Sequence, residues 1–587
     1  MESPYLVLVE FVYKHLDFHL AELTSILELH GIVLGSEQCR ILPLPLPFNY
    51  AEIQANRLGK DNTDGSPPTT RNFCILSFPS DSAVPLSGVG NDPKKLQQFN
   101  PRISHNHSRD HLSIAEILHK CTLVKTVMEL WAVSTVSLEE CAKQSHQWIS
   151  SQNGFQKSTL LPMLQHPGCS WKFSVHTLGT TFTREEHDQM RMQFKPTLDN
   201  FPGKVQLRQP DQELLLIREI ELDGMGGPLP IHKNSGDATS PTQHCTEALA
   251  YYFGRILGGP RLEKKRGMEQ YCLKNRPYLG PTSMDATLSF VMTSLGLVKS
   301  GSIVYDPFVG TGSILLSCAL RGAYCIGSDI DIRVLRGKGG SQQIWSNFEQ
   351  YGLPRPEILR TDNALYHKHF RHHPPMNHGK EESRRSDVAA PLYDAIITDP
   401  PYGIRAGARK TGSKRDHVLP VSEENRHDHI AQTKAYAVSD VMADLLDMAA
   451  RTLTLGGRLV YIIPSYTDFE PESDLPRHAC LEMIHSCYQP FNNELGRRIV
   501  AMKKTAEYDE NKSAEYQKSI WVHGAASAEK CANLREKILE TARQKPGYEE
   551  KAAIRKQKRK AHKSLKKLEK RSKQMQSQED REKVVSN

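Results

Sequence analysis

Two short stretches of this 587-residue sequence combine residue types that suit chemistry on a nitrogen. The first is Asp399-Pro400-Pro401-Tyr402-Gly403. Methyl transfer to an amino nitrogen conjugated with a ring requires the lone pair to point at the methyl carbon. The Asp399 carboxylate and the Pro400 carbonyl would hold the two N–H bonds and favour a more tetrahedral nitrogen. Two consecutive prolines fix φ, and with it the direction of that carbonyl. Tyr402 offers a face for an unstacked base, a contact worth ~1–3 kcal/mol in comparable base–aromatic pairs. An anionic acceptor suits guanine, whose Watson–Crick edge carries two donors, N1–H and N2–H; adenine carries one donor group and an acceptor. The preference is modest, because adenine-N6 transfer uses the same D-P-P-Y order, and the four residues alone also fit a plain turn.

The second stretch is Asp306-Pro307-Phe308-Val309-Gly310-Thr311-Gly312-Ser313. Gly310 and Gly312 would let the backbone approach a ligand, although G-x-G alone equally fits a tight strand-to-helix turn. Two later acids decide between these readings. Asp329 ends the next strand, where a carboxylate can accept both ribose hydroxyls, with Asp331 as the alternative. Asp362 ends the third, placed to accept from an adenine amino group, with Asn363 beside it. A nicotinamide dinucleotide would share the ribose acid, but Leu315 occupies the third glycine position of G-x-G-x-x-G. S-adenosylmethionine is therefore the expected cofactor, and a dehydrogenase remains the alternative.

These residues need strand ends to position them, and the hydrophobic pattern supplies such ends from about residue 245. Strands are predicted at 302–306, 324–329, 357–362, 393–399 and 458–464, with helices at 313–320 and 440–455. Short apolar strands alternating with helices predict an α/β, class I Rossmann-like domain over 245–525. Its sheet would be mostly parallel and doubly wound, with an antiparallel edge hairpin from 480–488 and 497–503. Ahead of it, 1–232 reads as an α+β region: a strand at 5–12, a helix at 14–29, and a strand at 71–78. A long amphipathic segment follows at 113–131, then a strand at 171–179, a helix at 183–194 and two strands within 204–222. The Gly/Pro-rich stretch 223–240 reads as a linker.

Charge is unevenly spread. Residues 551–575 carry twelve Lys/Arg against Glu569 alone, so the +8 of the chain leaves about −3 outside that stretch. RNA contact by the folded body must then come from local patches. The tail 545–587 reads as helical or disordered. Arg405, Arg409 and Lys410, in a flexible basic loop after the D-P-P-Y motif, could hold phosphates flanking a target base; a merely solvated loop fits as well. The His-rich insert 371–385 matches no metal spacing and reads as a disordered insertion, so no metal is expected. Twelve scattered cysteines without C-x-x-C argue against a zinc knuckle or a disulfide scaffold. No apolar run of 18 residues and no basic leader are present, so neither a membrane span nor secretion is expected. A cytoplasmic protein is expected, or a nuclear one if the basic tail is an address.

The stretch 276–331 (RPYLGPTSMDA…SIVYDPFVGTGS…YCIGSDID), together with TDPPYGIRAGARK, closely resembles the catalytic subunits of eukaryotic tRNA guanosine-10 N2-methyltransferases. The resemblance implies methyl transfer from S-adenosylmethionine to a guanosine N2 in tRNA. It also implies a cofactor role for Gly280, Pro281, Thr282 and Ser283; by residue type alone, GPTSMDA reads as the N-cap of a helix at 285–296. The run from Val205 to Asp211, followed by LLLIRE, resembles the end of a THUMP domain, which implies a ferredoxin-like and THUMP tRNA-binding region over 1–232. A small zinc-containing activator subunit is the partner the resemblance implies. Two other functions stay open: an adenine-N6 methyltransferase on RNA or DNA, and an inactive cofactor-binding RNA scaffold. The intact Asp399, Pro400 and Tyr402 argue against the latter.

Overall fold

The computed structural model describes residues 4–47, 71–79, 113–151, 160–177, 182–220, 248–258, 268–280, 283–337, 342–368, 391–401, 408–412, 423, 432–466, 469–491 and 495–522, with a few positions between 543 and 557. Its first strand, β1 (Tyr5–Phe11), is buried along almost its whole length, because it lies inside a sheet rather than at an edge. That sheet has seven strands: β1, β2 (Arg40–Leu42), β3 (Phe73–Phe78), β4 (Val124–Ser134), β5 (Trp171–Thr177), β6 (Gln212–Glu219) and β7 (Ala250–Gly258). Their order is β2-β3-β1-β4-β7-β6-β5, antiparallel throughout except for β5 beside β6. Helices α1 (His19–Leu29), α2 (Leu138–Ser151) and α3 (Arg184–Gln193) accompany it. Thr183 and Glu186 form a capping box that fixes the start of α3, as the T-x-x-E spacing allows.

Three expectations change here. The amphipathic segment 113–131 is not one element: Ser113 and Glu116 cap a single turn of helix, Ile114–Leu118, and the chain then enters β4. The second strand expected near 204–208 reduces to an isolated bridge between Val205 and Trp171. The third change concerns the boundary. Strand β7 lies between β4 and β6, so the N-terminal body extends to Gly258, past the division expected between 232 and 245. Arg255 shows why. Its buried guanidinium donates to Glu129 Oε2 on β4 (2.9 Å) and Gln212 Oε1 on β6 (3.1 Å), partners that exist only in this sheet. The linker at 223–240 lies outside the described residues.

The second body begins with α4 (Ala286–Leu295), capped by the Asp285 carboxylate. Next come β8 (Ile303–Asp306), α5 (Ser313–Leu320), β9 (Tyr324–Asp329), α6 (Ile344–Glu349), β10 (Glu357–Arg360) and β11 (Tyr393–Thr398). A short pair, β12 (Arg409–Thr411) and β13 (Thr433–Ala435), precedes α7 (Val438–Thr452), β14 (Leu453–Tyr466), β15 (Leu481–Pro490) and β16 (Leu495–Lys504). The sheet order is β10-β9-β8-β11-β14-β16-β15; the first five run parallel, and β16 is antiparallel to both its neighbours. Apolar residues of α4 and α5 pack one face, among them Val291, Met292 and Leu316; Met442, Leu445 and Leu446 of α7 pack the other. The strand order reverses between β8 and β11, where open α/β sheets leave a crevice at their carboxyl ends.

The two bodies meet through α1, which packs on α4. Glu22 is fully buried there and accepts from Thr122 N (2.7 Å), Leu123 N (2.8 Å) and Ser294 Oγ (2.9 Å). Arg458 of β14 pairs with Glu28 at 2.6 Å. Replacing Glu22 by Gln keeps the shape but turns a charged acceptor into an amide with donors of its own. A loss of about 2 kcal/mol in stability is expected. An unfolding midpoint in urea equal to that of the parent chain would show that this buried cluster does not join the bodies.

Candidate active site

Parallel register brings the two sequence stretches together. Ala395 and Ile396 of β11 lie beside Val304 and Tyr305 of β8, so both strands end at one level, and Thr398 Oγ1 donates to the Asp306 carboxylate at 2.6 Å. Asp306, Phe308, Gly310, Thr311 and Asp399 line one cavity of about 50 Å3, along with Met284, Val309, Ser313 and Ile314. Pro400 is buried behind Asp399, and Pro401 is half-buried. Tyr402 and Arg405 lie outside the described residues, as do Pro281 and Thr282.

The glycine loop has the backbone its composition anticipates. Gly310 and Gly312 adopt φ of 51° and 77°, in the left-handed region. A Cβ built on Gly310 would meet nothing nearer than the Phe308 carbonyl at 3.9 Å, so the loop leaves open space at its tip. The segment before β8 is zipped onto this loop. Ser283 Oγ accepts from Gly280 N (3.0 Å) and bonds Thr311 Oγ1 (2.8 Å), and a Cβ on Gly280 would stand 2.9 Å from Thr311 Cγ2. Ser313 Oγ accepts from both Arg276 and Met284 N. Met284 and Ser313 were not singled out in the sequence, although both stand inside the quoted motifs.

The acids divide their tasks. Asp329, at the end of β9, accepts from Gly310 N (3.1 Å) and Asp331 N (2.8 Å), so it is tied to the glycine loop. Asp331 caps the next helical turn at Arg333 N and pairs with the Arg333 side chain at 2.7 Å. Asp362 accepts from Ala364 N (3.0 Å) and from Thr411 N of β12 (2.6 Å), acting as a clamp on the returning chain. Beside it, Asn363 is buried and both atoms of its side-chain amide are without a partner. A buried amide left this way loses on the order of 1–3 kcal/mol, which a ligand with a donor and an acceptor on one edge would recover.

Residues 409–411 depart from the flexible basic loop expected. They form β12, paired with β13, because Thr411 is held by Asp362 and Tyr436 N donates to the Ala408 carbonyl. Lys410 donates to Asp440 at 3.2 Å and lies over the Tyr436 ring at 4.9 Å, while Arg409 donates to the Thr433 carbonyl and hydroxyl. Ala408 and Tyr436 pack with Val441 against Phe308, so this hairpin closes on the glycine loop.

Asp306, Asp329 and Asp399 concentrate negative charge at the strand ends. Burial pushes the Asp306 carboxyl up to about 7 against the hydrogen bonds it receives from Thr398 and Phe308 N, and Asp329 and Asp399 add to the rise. Burial likewise raises Asp329. Because Asp306 holds its proton more tightly folded than unfolded, the ligand-free protein loses stability as pH rises from about 4 to about 7. A cation placed among these acids would reverse the shift. Binding of S-adenosylmethionine at pH 7 is therefore expected to release a fraction of a proton, seen by calorimetry in buffers of differing ionisation enthalpy. The neutral thioether product should release less; equal release by both would exclude Asp306 as the source.

The residues fit that cofactor: an open loop tip at Gly310, a strand-end acid tied to it, a buried amide in need of partners, and net negative charge suited to a sulfonium. A cavity of about 50 Å3 holds only the reacting end, so the remainder would lie over the strand ends. Among the described residues, no helix is long and apolar enough to cross a membrane and no group of three His, Cys, Asp or Glu could hold a metal ion. The ten described cysteines are free thiols, nine of them buried.

Residues 274–344 match the family model for the RMKL-like methyltransferase domain. With five parallel strands, a reversed hairpin at the edge and this crevice, the chain is a class I S-adenosylmethionine-dependent methyltransferase. It is 30% identical to a tRNA (guanine(10)-N(2))-methyltransferase TRMT11 of Gallus gallus, over 86% of this chain and 88% of that one. The corresponding protein of Homo sapiens is 30% identical over 86% and 89%. That of Dictyostelium discoideum is 36% identical over 69% and 74%. The chain belongs to the tRNA (guanine(10)-N(2))-methyltransferase TRMT11 family.

Proposed function

We propose that this chain transfers a methyl group from S-adenosylmethionine to the exocyclic N2 of guanosine 10 in tRNA. The observation that carries the reading is the convergence of Asp399, just past the end of β11, with the glycine loop after β8, in one cavity. Bound S-adenosylmethionine supplies an electrophilic methyl on a sulfonium sulfur. Asp329 would accept from the ribose, Asn363 with Asp362 would take the adenine edge, and Gly310, Thr311 and Gly312 would leave room for the amino-acid end. Phe308 and the segment 280–283, which contains Gly280, Pro281, Thr282 and Ser283, would wall that end. The Asp399 carboxylate and Pro400 carbonyl would orient the guanine amino group, and Tyr402 would stack on the base. Catalysis then comes from positioning and from negative charge where the nitrogen turns positive.

The N-terminal body is the region we assign to tRNA recognition, and a small zinc-binding activator subunit is the partner we expect. Arg405 of the basic loop is proposed to contact RNA as well; Arg409 and Lys410 could do so only while keeping their hairpin bonds. Tests should use bulk tRNA lacking its modifications, with and without the activator, followed by nucleoside analysis. N2-methylguanosine is the expected product. N6-methyladenosine, or no methylated nucleoside with or without the activator, would overturn the reading.

A further inference from the structure

A second concavity, of about 800 Å3, opens where the two bodies meet. His30 at the end of α1 and Lys120 just before β4 come from the N-terminal body; Tyr271, Phe290, Lys299 and Arg321 come from the methyltransferase body. Among the described residues, no Asp or Glu lines it. Lys120 and Lys299 are exposed. Lys120 Nζ donates to His30 Nε2 at 3.1 Å, and Arg321 Nη2 donates to the Lys120 carbonyl (3.3 Å) and to Ser294 Oγ (2.7 Å), leaving its buried Nε without a partner.

Two acids outside the lining act on this cluster. Glu22 offsets Arg321 but is already held by two backbone amides and Ser294, and Glu116 acts on Lys120 while bonded to Ser113. Burial and the neighbouring cations hold both His30 and Lys120 below their ordinary ranges. Three cations and two imidazoles, His30 and His119, are thus gathered without a carboxylate on the described lining, in a chain whose charge outside the tail is about −3. Such a cluster calls for an anion. The same lining carries an aromatic pair, the Tyr271 and Phe290 rings, 5.4 Å apart and tilted by 50°. A volume of this order suits an organic ligand rather than a lone ion.

We propose that this groove holds a segment of the RNA substrate, with phosphates against Lys120, Lys299 and Arg321 and a base against Tyr271 and Phe290. The inference rests on the tRNA reading above and deepens it. Helix α4 links the two places: Met284, just before its start, lines the cofactor cavity, and Phe290 lines the groove. Five helical residues of α4 up to Phe290 span ~7.5 Å, while Lys299 precedes β8 and Arg321 follows α5, at the end of the sheet away from the glycine loop. The groove would therefore hold RNA on the flank of the catalytic body, beyond the immediate neighbours of the target base.

The test is the double variant Lys120→Ala/Lys299→Ala in the full chain, with tRNA binding followed across a salt series. Losing two phosphate contacts should weaken binding about tenfold and flatten the slope of log affinity against log salt by roughly 1.5. In methylation assays, KM for tRNA should rise by the same factor, with kcat and cofactor affinity unchanged. Lys512→Ala/Lys518→Ala, which removes two exposed lysines off the groove, should leave both readings near those of the parent. An equal loss in this control pair would overturn the proposal, because RNA would then be responding to net charge alone. Unchanged affinity and slope in the groove variant would also overturn it and leave the groove to an acidic protein partner. If the parent chain methylates no tRNA with or without the activator, the underlying function fails instead, which separates the two failures.

Discussion

Replacing Asp399 by alanine is expected to lower turnover by two to three orders of magnitude, with cofactor affinity changed less than tenfold. The carboxylate lies at the carboxyl end of β11 in the same cavity as the glycine loop. Its hydrogen bonds to an amino group strengthen as that nitrogen gains positive charge during transfer. The interaction therefore belongs mainly to the transition state, and ~3–4 kcal/mol is the scale for removing one preorganised partner of this kind. Asp399→Asn retains one neutral acceptor and should fall between the two. Tyr402→Ala should raise KM for the nucleic acid as well, since stacking is already present in the bound ground state, whereas Tyr402→Phe should be mild. Near-normal turnover in Asp399→Ala would mean that another acceptor orients the nitrogen. Parallel loss of cofactor binding would make Asp399 structural.

The second large effect is at Gly310, where valine should weaken S-adenosylmethionine binding at least 100-fold while far-ultraviolet circular dichroism stays that of the parent. Two causes add. A β-branched residue at φ of 51° is strained by about 1–3 kcal/mol, and the loop would relax away from its ligand-ready shape. The new side chain would also project into the space left open at the loop tip, where nothing but the Phe308 carbonyl stands within 4 Å. Each 1.4 kcal/mol is worth a factor of ten in affinity, so ~3 kcal/mol from the two causes gives the 100-fold expected. Gly310→Ala separates the causes, because it carries most of the strain and little of the bulk. Calorimetry with the valine variant that returned the parent affinity would place the cofactor elsewhere.

Much of the catalytic body was legible as sequence. Its strands are short apolar runs with turn residues between them, and 313–320 and 324–329 fall where the periodicity placed them. The antiparallel hairpin at the edge and the residues of the glycine loop were legible from local chemistry as well: apolar runs for the first, and glycine at positive φ for the second. Strand β7 was different. Its alternation in AYYFGRILG suits a strand in either body, and its pairing with β4 and β6, together with the Arg255 bonds to Glu129 and Gln212, assigns it to the first. The segment 113–131 misled because a capping box and a strand adjoin without a Gly or Pro to punctuate them.

At the site, the sequence by itself determined which groups stand at strand ends: Asp306, Asp329 and Asp399, with the prolines that stiffen the last. Tertiary structure alone decided how they are used. Parallel register set Thr398 against Asp306, the return of β12 turned Asp362 into a clamp, and the buried Asn363 amide was left with no hydrogen-bond partner among the described residues. Arg409 and Lys410 read as free cations in one dimension and are tied down in three, by Thr433 and by Asp440 with Tyr436. The physical reason is range. Backbone conformation and strand ends follow from neighbours a few residues apart, whereas charge pairing, desolvation and the groove between the bodies depend on residues far apart in the chain, 272 positions for Glu22 and Ser294 and 430 for Glu28 and Arg458.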